Sequence, residues 1–138
     1  MNSQPLAQIL LVEDDLSLID LYTVRLEAEG FEVKNCADGE KALQTVKEYL
    51  PDLVLLDIMM PRIDGFDVLD IMRNTPVTKD IKVIVMTALN RPEDIQRAKD
   101  LGAIDFLVKS QISMTDLVDI MRRHLNLPPS ETAHQKDN

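Results

Sequence analysis

The sequence predicts a doubly wound α/β fold, (βα) five times over, with an open five-stranded parallel sheet and helices on both faces. Three observations carry that prediction. Unbroken apolar runs of strand length recur at Ile9–Val12, Leu53–Leu56 and Val83–Met86, as expected of parallel strands covered on both sides. Amphipathic stretches with helical period lie between the runs. Polar residues, several of them acidic, follow directly on the ends of the runs.

Phe31–Asn35 and Ile104–Val108 are mixed runs that read as the two more exposed strands. In the first helical stretch Leu18, Ile19, Tyr22 and Leu26 share a face, and Gly30 fits the C′ position. Ala42, Leu43, Val46 and Leu50 form the next stripe, with Asp38 as N-cap and Pro51 past the end. Val68, Leu69 and Met72 follow Asp64-Gly65 as a shorter one. Arg91–Leu101 has Pro92 in its first turn and Gly102 after its end, the asymmetry expected of a helix. Its apolar face is thin: Ile95, Ala98 and Leu101. Ser113 to Asp116 reads as a capping box opening the last helix, with Leu117, Ile120, Met121 and Leu125 inward. Right-handed crossovers restrict the sheet to a few doubly wound orders. The expected organisation is a lead-in over 1–7, one folded domain over 8–127 and a polar tail over 128–138. No internal repeat is present.

With 138 residues and 45% hydrophobic content, the chain fits one compact domain. Its 24 acidic and 15 basic residues leave a formal charge of −9, which disfavours direct nucleic-acid binding and anionic membrane surfaces. The charge suits basic partners, divalent cations or solubility alone. No apolar run approaches the roughly 20 residues of a bilayer span, and Met1–Ala7 lacks the features of a secretory signal. The single cysteine, Cys36, forms no intrachain disulfide and reads as a small, partly buried hydrophobe. A soluble protein of a reducing compartment, most simply the cytoplasm, is the expectation.

In such a sheet, ligands bind outside the carboxyl ends of the strands. Glu13, Asp14 and Asp15 follow the first apolar run, Asp57 the second, Thr87 the third, and Lys109 follows the last strand. A lone Asp there is ordinarily a turn residue or cap, and Asp15 fits that role. The joint occurrence at four strand ends on one edge is what points to a site. Clustered carboxylates protonate or recruit a cation. Oxygen-only ligands favour Mg²⁺ over zinc. A carboxylate can also attack a phosphoryl group, with a metal and a cation such as Lys109 neutralising the transferring oxygens. Thr87 can donate its hydroxyl to the same oxygens.

The motifs ILLVEDD (Ile9–Asp15), LLDIMMPRIDG (Leu55–Gly65), VMTA (Val85–Ala88) and FLVK (Phe106–Lys109) resemble those of CheY-like receiver domains of two-component response regulators. The likeness runs from about Ala7 to Leu127, and the D-x-x-M-P-x-x-D-G string is its most specific part. The resemblance implies a flavodoxin-like sheet in the order 2-1-3-4-5 and a phosphorylation-controlled signalling switch in a phosphorelay, rather than an enzyme acting on other substrates. By the same resemblance Asp57 is the phosphoacceptor. Glu13, Asp14 and Asp57 hold Mg²⁺, together with the backbone carbonyl of Met59. Thr87 and Lys109 bind the phosphoryl group, and Thr87 and Phe106 form the switch. The implied donor is a phosphohistidine on a sensor histidine kinase or phosphotransfer protein. The implied output face joins the Phe106 strand to the helices at Arg91–Leu101 and Ile112–Asn126. It serves a downstream protein target, with a phosphorylation-dependent homodimer as one form of output.

Departures from the family pattern carry expectations of their own. Ser110 stands where many receivers have a cis proline, and a cis bond to a non-proline residue costs roughly 2.5–4 kcal/mol, so Lys109-Ser110 is expected to be trans. Phe106 lacks the hydroxyl of the commoner tyrosine. Met59 and Leu89 occupy positions that tune access of hydrolytic water in the family, and both are apolar, which predicts slow dephosphorylation. A Mg²⁺-dependent phosphohydrolase of the haloacid-dehalogenase type is disfavoured, because it wants a second Asp where Met59 stands. A pseudo-receiver is disfavoured because Asp57, the acidic pair and Lys109 are all present. Arg122-Arg123-His124 reads as a solvated basic turn complementing the helix dipole, and neither His124 nor His134 has neighbours suggesting metal binding. With only the short, largely polar segment PPSETAHQKDN after Leu127, output through binding by a stand-alone receiver is the expectation.

Overall fold

The computed structural model describes residues 4–130. Its five strands are β1 (Gln8–Val12), β2 (Glu32–Cys36), β3 (Leu53–Leu56), β4 (Lys82–Thr87) and β5 (Asp105–Val108). They alternate with α1 (Leu16–Ala28), α2 (Gly39–Tyr49), α3 (Gly65–Arg73), α4 (Pro92–Asp100) and α5 (Met114–His124). All pairings are parallel and the order is β2-β1-β3-β4-β5, the doubly wound arrangement expected from the motifs. Among the described residues, no helix is long and apolar enough to cross a membrane.

Strand alternation splits the core in two. Leu10, Val12, Val54, Leu56, Val83 and Val85 face a cluster built with α2, α3 and α4. Ile9, Leu11, Leu53, Leu55, Ile84 and Met86 face the other cluster, beneath α1 and α5. The middles of the central strands are apolar on both faces because each face is covered, and each fully buried aliphatic side chain contributes about 1.5–3 kcal/mol. β2 is an edge strand and its burial is mixed, which is why its sequence alternates so poorly.

Helix ends follow local chemistry. Asp15 accepts from the Ser17 and Leu18 amides as the N-cap of α1, and Asp38 caps α2. Asp64 with Asp67, and Ser113 with Asp116, close full capping boxes on α3 and α5. Gly30 and Gly102 take positive φ after α1 and α4, each with the paired backbone bonds of a Schellman cap. Asn126, φ 59°, does the same for α5, a third cap the sequence reading did not anticipate.

Two expectations change. Leu50 is not inward: α2 ends at this residue in the left-handed conformation, turning the side chain outward, and it is 47% exposed. The basic turn at the end of α5 is not simply solvated. Arg122 is buried and donates to the Pro128 carbonyl, while His124 lies 2.9 Å from Asp105 on β5. Neither contact is visible in sequence, because both partners come from other segments. Beyond Leu127, exposed Pro128 and Pro129 lead to the buried Ser130, and 131–138 lie outside the described residues.

Candidate functional site

The carboxyl ends of β1, β3, β4 and β5 bring the expected residues together. The strand ladders carry on one residue past their ends: the Glu13 amide donates to Cys36 O and the Asp57 amide to Val12 O, each at 3.0 Å. These bonds fix the backbone of both acids, and both are buried, at 2% and 6% exposure. Asp14 is exposed at the rim. Oxygens of Glu13, Asp14 and Asp57 lie within 4.8 Å of one another.

Lys109 follows β5 and its ammonium contacts Glu13 Oε1 and lies 3.0 Å from Asp57 Oδ2. Asp57 Oδ1 accepts the Met59 amide at 3.0 Å, and Glu13 Oε2 accepts the Asp15 amide at 3.1 Å. Burial pushes the Glu13 carboxyl above the usual range, against the opposing pull of Lys109 and the Asp15 amide. For Lys109, burial acts to lower the pKa, but the hydrogen bonds to Glu13 and Asp57 outweigh it and the ammonium is held charged. One cation thus pairs with two buried carboxylates, and the exposed Asp14 adds a third oxygen donor beside them. That donor set, with negative charge in excess, fits a hard divalent ion such as Mg²⁺.

The loop after β3 explains the spacing in LLDIMMPRIDG. Met60 and Gly65 both donate to Ile58 O, at 3.0 and 2.9 Å, so the chain doubles back directly against Asp57. A Cβ on Gly65 would lie 2.5 Å from Asp57 O and 2.6 Å from Ile58 Cα, so this position admits only glycine without a shift of the phosphoacceptor candidate's backbone. The motif contained this residue, but its role needed the three-dimensional approach.

Thr87 ends β4 fully buried and accepts the Leu89 amide at 3.3 Å. Met59 is 51% exposed and Leu89 partly buried, and they share a groove with Phe66, Arg91, Asp94 and Arg97. Arg91 is tied to Asp94 at 2.8 Å, and Arg97 stacks 4.3 Å above the Phe66 ring, contacts the sequence did not suggest. Phe106 is partly buried beside a cavity of about 240 Å³ between α4 and β5, lined also by Ile95, Ala98 and Ile104. The Lys109-Ser110 bond is trans, as expected, and Lys109–Gln111 form a single 3₁₀ turn.

A parallel 2-1-3-4-5 sheet that gathers an acidic cluster, a buried threonine and a lysine at one edge defines the receiver class of signalling domains. The chain belongs to the response regulator receiver domain family, whose model matches residues 9–122. It is 38% identical over 102 residues to the DNA-binding dual master transcriptional regulator RpaA of Synechocystis sp., covering 74% of this chain and 42% of that protein. It is 35% identical over 126 residues to the DNA-binding response regulator MtrA of Mycobacterium tuberculosis, covering 91% of this chain and 54% of that one. The chain therefore spans about half or less of these relatives' length. Among solved structures, the chemotaxis protein CheY4 of Vibrio cholerae superposes with TM-score 0.79 at 29% identity, over 85% of this chain and 97% of that one.

Proposed function

We propose that this receiver is a phosphorylation-controlled switch that accepts a phosphoryl group on Asp57 from a phosphohistidine donor, such as a sensor histidine kinase or a phosphotransfer protein. The observation that carries the reading is the Asp57 carboxylate, buried, held by the Met59 amide on one oxygen and by Lys109 on the other, beside Glu13 and Asp14. A carboxylate oxygen of Asp57 attacks phosphorus, the P–O bond forms, and the P–N bond to the donor imidazole breaks. The donor imidazole leaves and takes up a proton.

Glu13, Asp14 and Asp57, with the Met59 main chain, are the groups that would hold Mg²⁺. When bound, it supplies charge neutralisation at the phosphoryl oxygens. Lys109 exchanges its carboxylate partners for a phosphoryl oxygen. Thr87 gives up the Leu89 amide and donates its hydroxyl to another. Catalysis extends to the domain's own phosphorylation and dephosphorylation, so it is a phosphoacceptor and not an enzyme with an external product.

Exposed Leu16 at the start of α1, with exposed Leu21 and Val24 farther along the helix, offers apolar surface for the donor. Movement of Thr87 leaves room for Phe106 to turn into the cavity beside α4, which changes the α4-β5-α5 face presented to a protein target or a second copy. A cytoplasmic location belongs to the same reading. The test is incubation with Mg²⁺ and acetyl phosphate followed by intact-mass measurement. A single phosphoryl adduct is expected, absent without Mg²⁺ and absent in Asp57→Ala. An adduct that persists in Asp57→Ala overturns the assignment.

A further inference from the structure

α1 and α5 lie side by side on one face of the sheet, and both run from the site edge toward the opposite edge. Their far ends are joined by a segment that the phosphoacceptor chemistry does not use. The Schellman cap at Asn126 reverses the chain, with the Leu127 amide bonded to Arg122 O at 2.8 Å and the Leu127 side chain packed on the core. The chain then passes along α5, where Arg122 donates to Pro128 O. It reaches the C-cap of α1, where Ser130, 3% exposed, donates its hydroxyl to Glu29 Oε1 at 2.7 Å. Glu29 is itself held by Arg25 at 3.1 Å, with its side chain only 8% exposed. Arg25 also reaches Thr115 at the start of α5. The base of α5 is further tied to the sheet by Lys82 on His124 O and by His124 on Asp105, the residue before Phe106.

We propose that Leu127–Ser130 is a strap that clamps the base of α5 to α1 and opposes the phosphorylation-linked movement of the α4-β5-α5 face. The proposal rests on the switch reading of Asp57. The seated strap holds α5 through Arg122 and α1 through Glu29, so displacement of α5 relative to α1 must break these bonds. Two sites that bias one equilibrium are reciprocally linked: loosening the strap favours the phosphorylated arrangement, and tightening it disfavours that arrangement. The strap end and the site occupy opposite edges of the sheet. An effect of one on the other must therefore pass through α5 and β5.

Graded substitutions at Ser130 test this. Ser130→Glu places a second carboxylate against Glu29 and releases the strap, whereas Ser130→Ala only removes the hydroxyl that Glu29 accepts and loosens it less. The measurement is the initial rate of Mg²⁺-dependent phosphorylation by acetyl phosphate, with thermal melting to confirm that both variants fold. Ser130→Glu is expected to phosphorylate about two- to fivefold faster than the parent and Ser130→Ala faster by a smaller factor. A segment that only adds stability would lower the melting temperature of both variants with the rate unchanged or reduced, and that result overturns the strap. If the parent chain takes no phosphoryl group, the switch reading falls and the strap with it. If the parent is phosphorylated and the variants match it, the strap alone falls.

Discussion

Lys109 Nζ lies 3.0 Å from Asp57 Oδ2 and at the same time contacts Glu13, so one ammonium from β5 balances two buried carboxylates from β1 and β3. The two buried acids around one ammonium leave negative charge in excess, which works against the stability of the free domain. Desolvating two carboxylates costs more than one partly exposed ammonium returns. Glu13→Gln is therefore expected to raise the unfolding free energy at neutral pH by about 1 kcal/mol, and Lys109→Met to lower it by about 1–3 kcal/mol. Urea unfolding of the metal-free protein measures both. A stabilised Lys109→Met would contradict the role given to the ammonium.

The lifetime of the phosphoryl group should depend on Met59 and Leu89. Both flank the groove beside Asp57, and neither offers a polar atom to guide water to phosphorus. Met59→Asn combined with Leu89→Gln is expected to speed phosphate loss about tenfold, which corresponds to about 1.4 kcal/mol of barrier. Decay of the phosphorylated protein after removal of the donor, followed by intact mass, gives the comparison.

Gly65 should tolerate no side chain without cost at the site. The Cβ of Gly65→Ala meets Asp57 O and Ile58 Cα, both backbone atoms that cannot rotate away. A slower phosphorylation by at least about tenfold is expected, with α3 still folded by circular dichroism. An unchanged rate would mean that the loop relaxes without moving Asp57.

Arg73 joins three segments by donating to Lys79 O, Ile81 O and Gly102 O at 2.9–3.1 Å. Burial holds its guanidinium below the usual range, although it stays charged at neutral pH. Arg73→Lys keeps the charge but cannot span three carbonyls, so both it and Arg73→Ala are expected to lose about 1–3 kcal/mol. Their near-equality in denaturant unfolding is the diagnostic, since loss of charge alone would spare the lysine variant.

Cys36 is buried, and desolvation pushes its thiol up despite the contact with Thr45. The folded state therefore favours the protonated thiol. Its stabilising contribution is complete below the unfolded thiol's pKa and is lost as pH rises toward the folded value. Cys36→Ala should remove part of the stability loss seen on the alkaline side, and alkylation of the native thiol should be slow at pH 8. Rapid native-state alkylation there would contradict the burial.

The order of elements, the two-faced burial of β1, β3 and β4, most helix caps and the residues at the strand ends were all legible in the sequence. Each rests on local pattern or on a motif whose spacing places side chains at one edge. What the sequence could not decide is which distant groups meet. The ammonium shared by Glu13 and Asp57, the approach of Gly65 to the Asp57 backbone, the His124–Asp105 pair and the Ser130–Glu29 contact all join residues that no local helix or strand period relates. A single sequence encodes periodicity and capping locally. Pairing across segments arises only when the packed sheet sets the distances, and burial then makes those few polar contacts decisive.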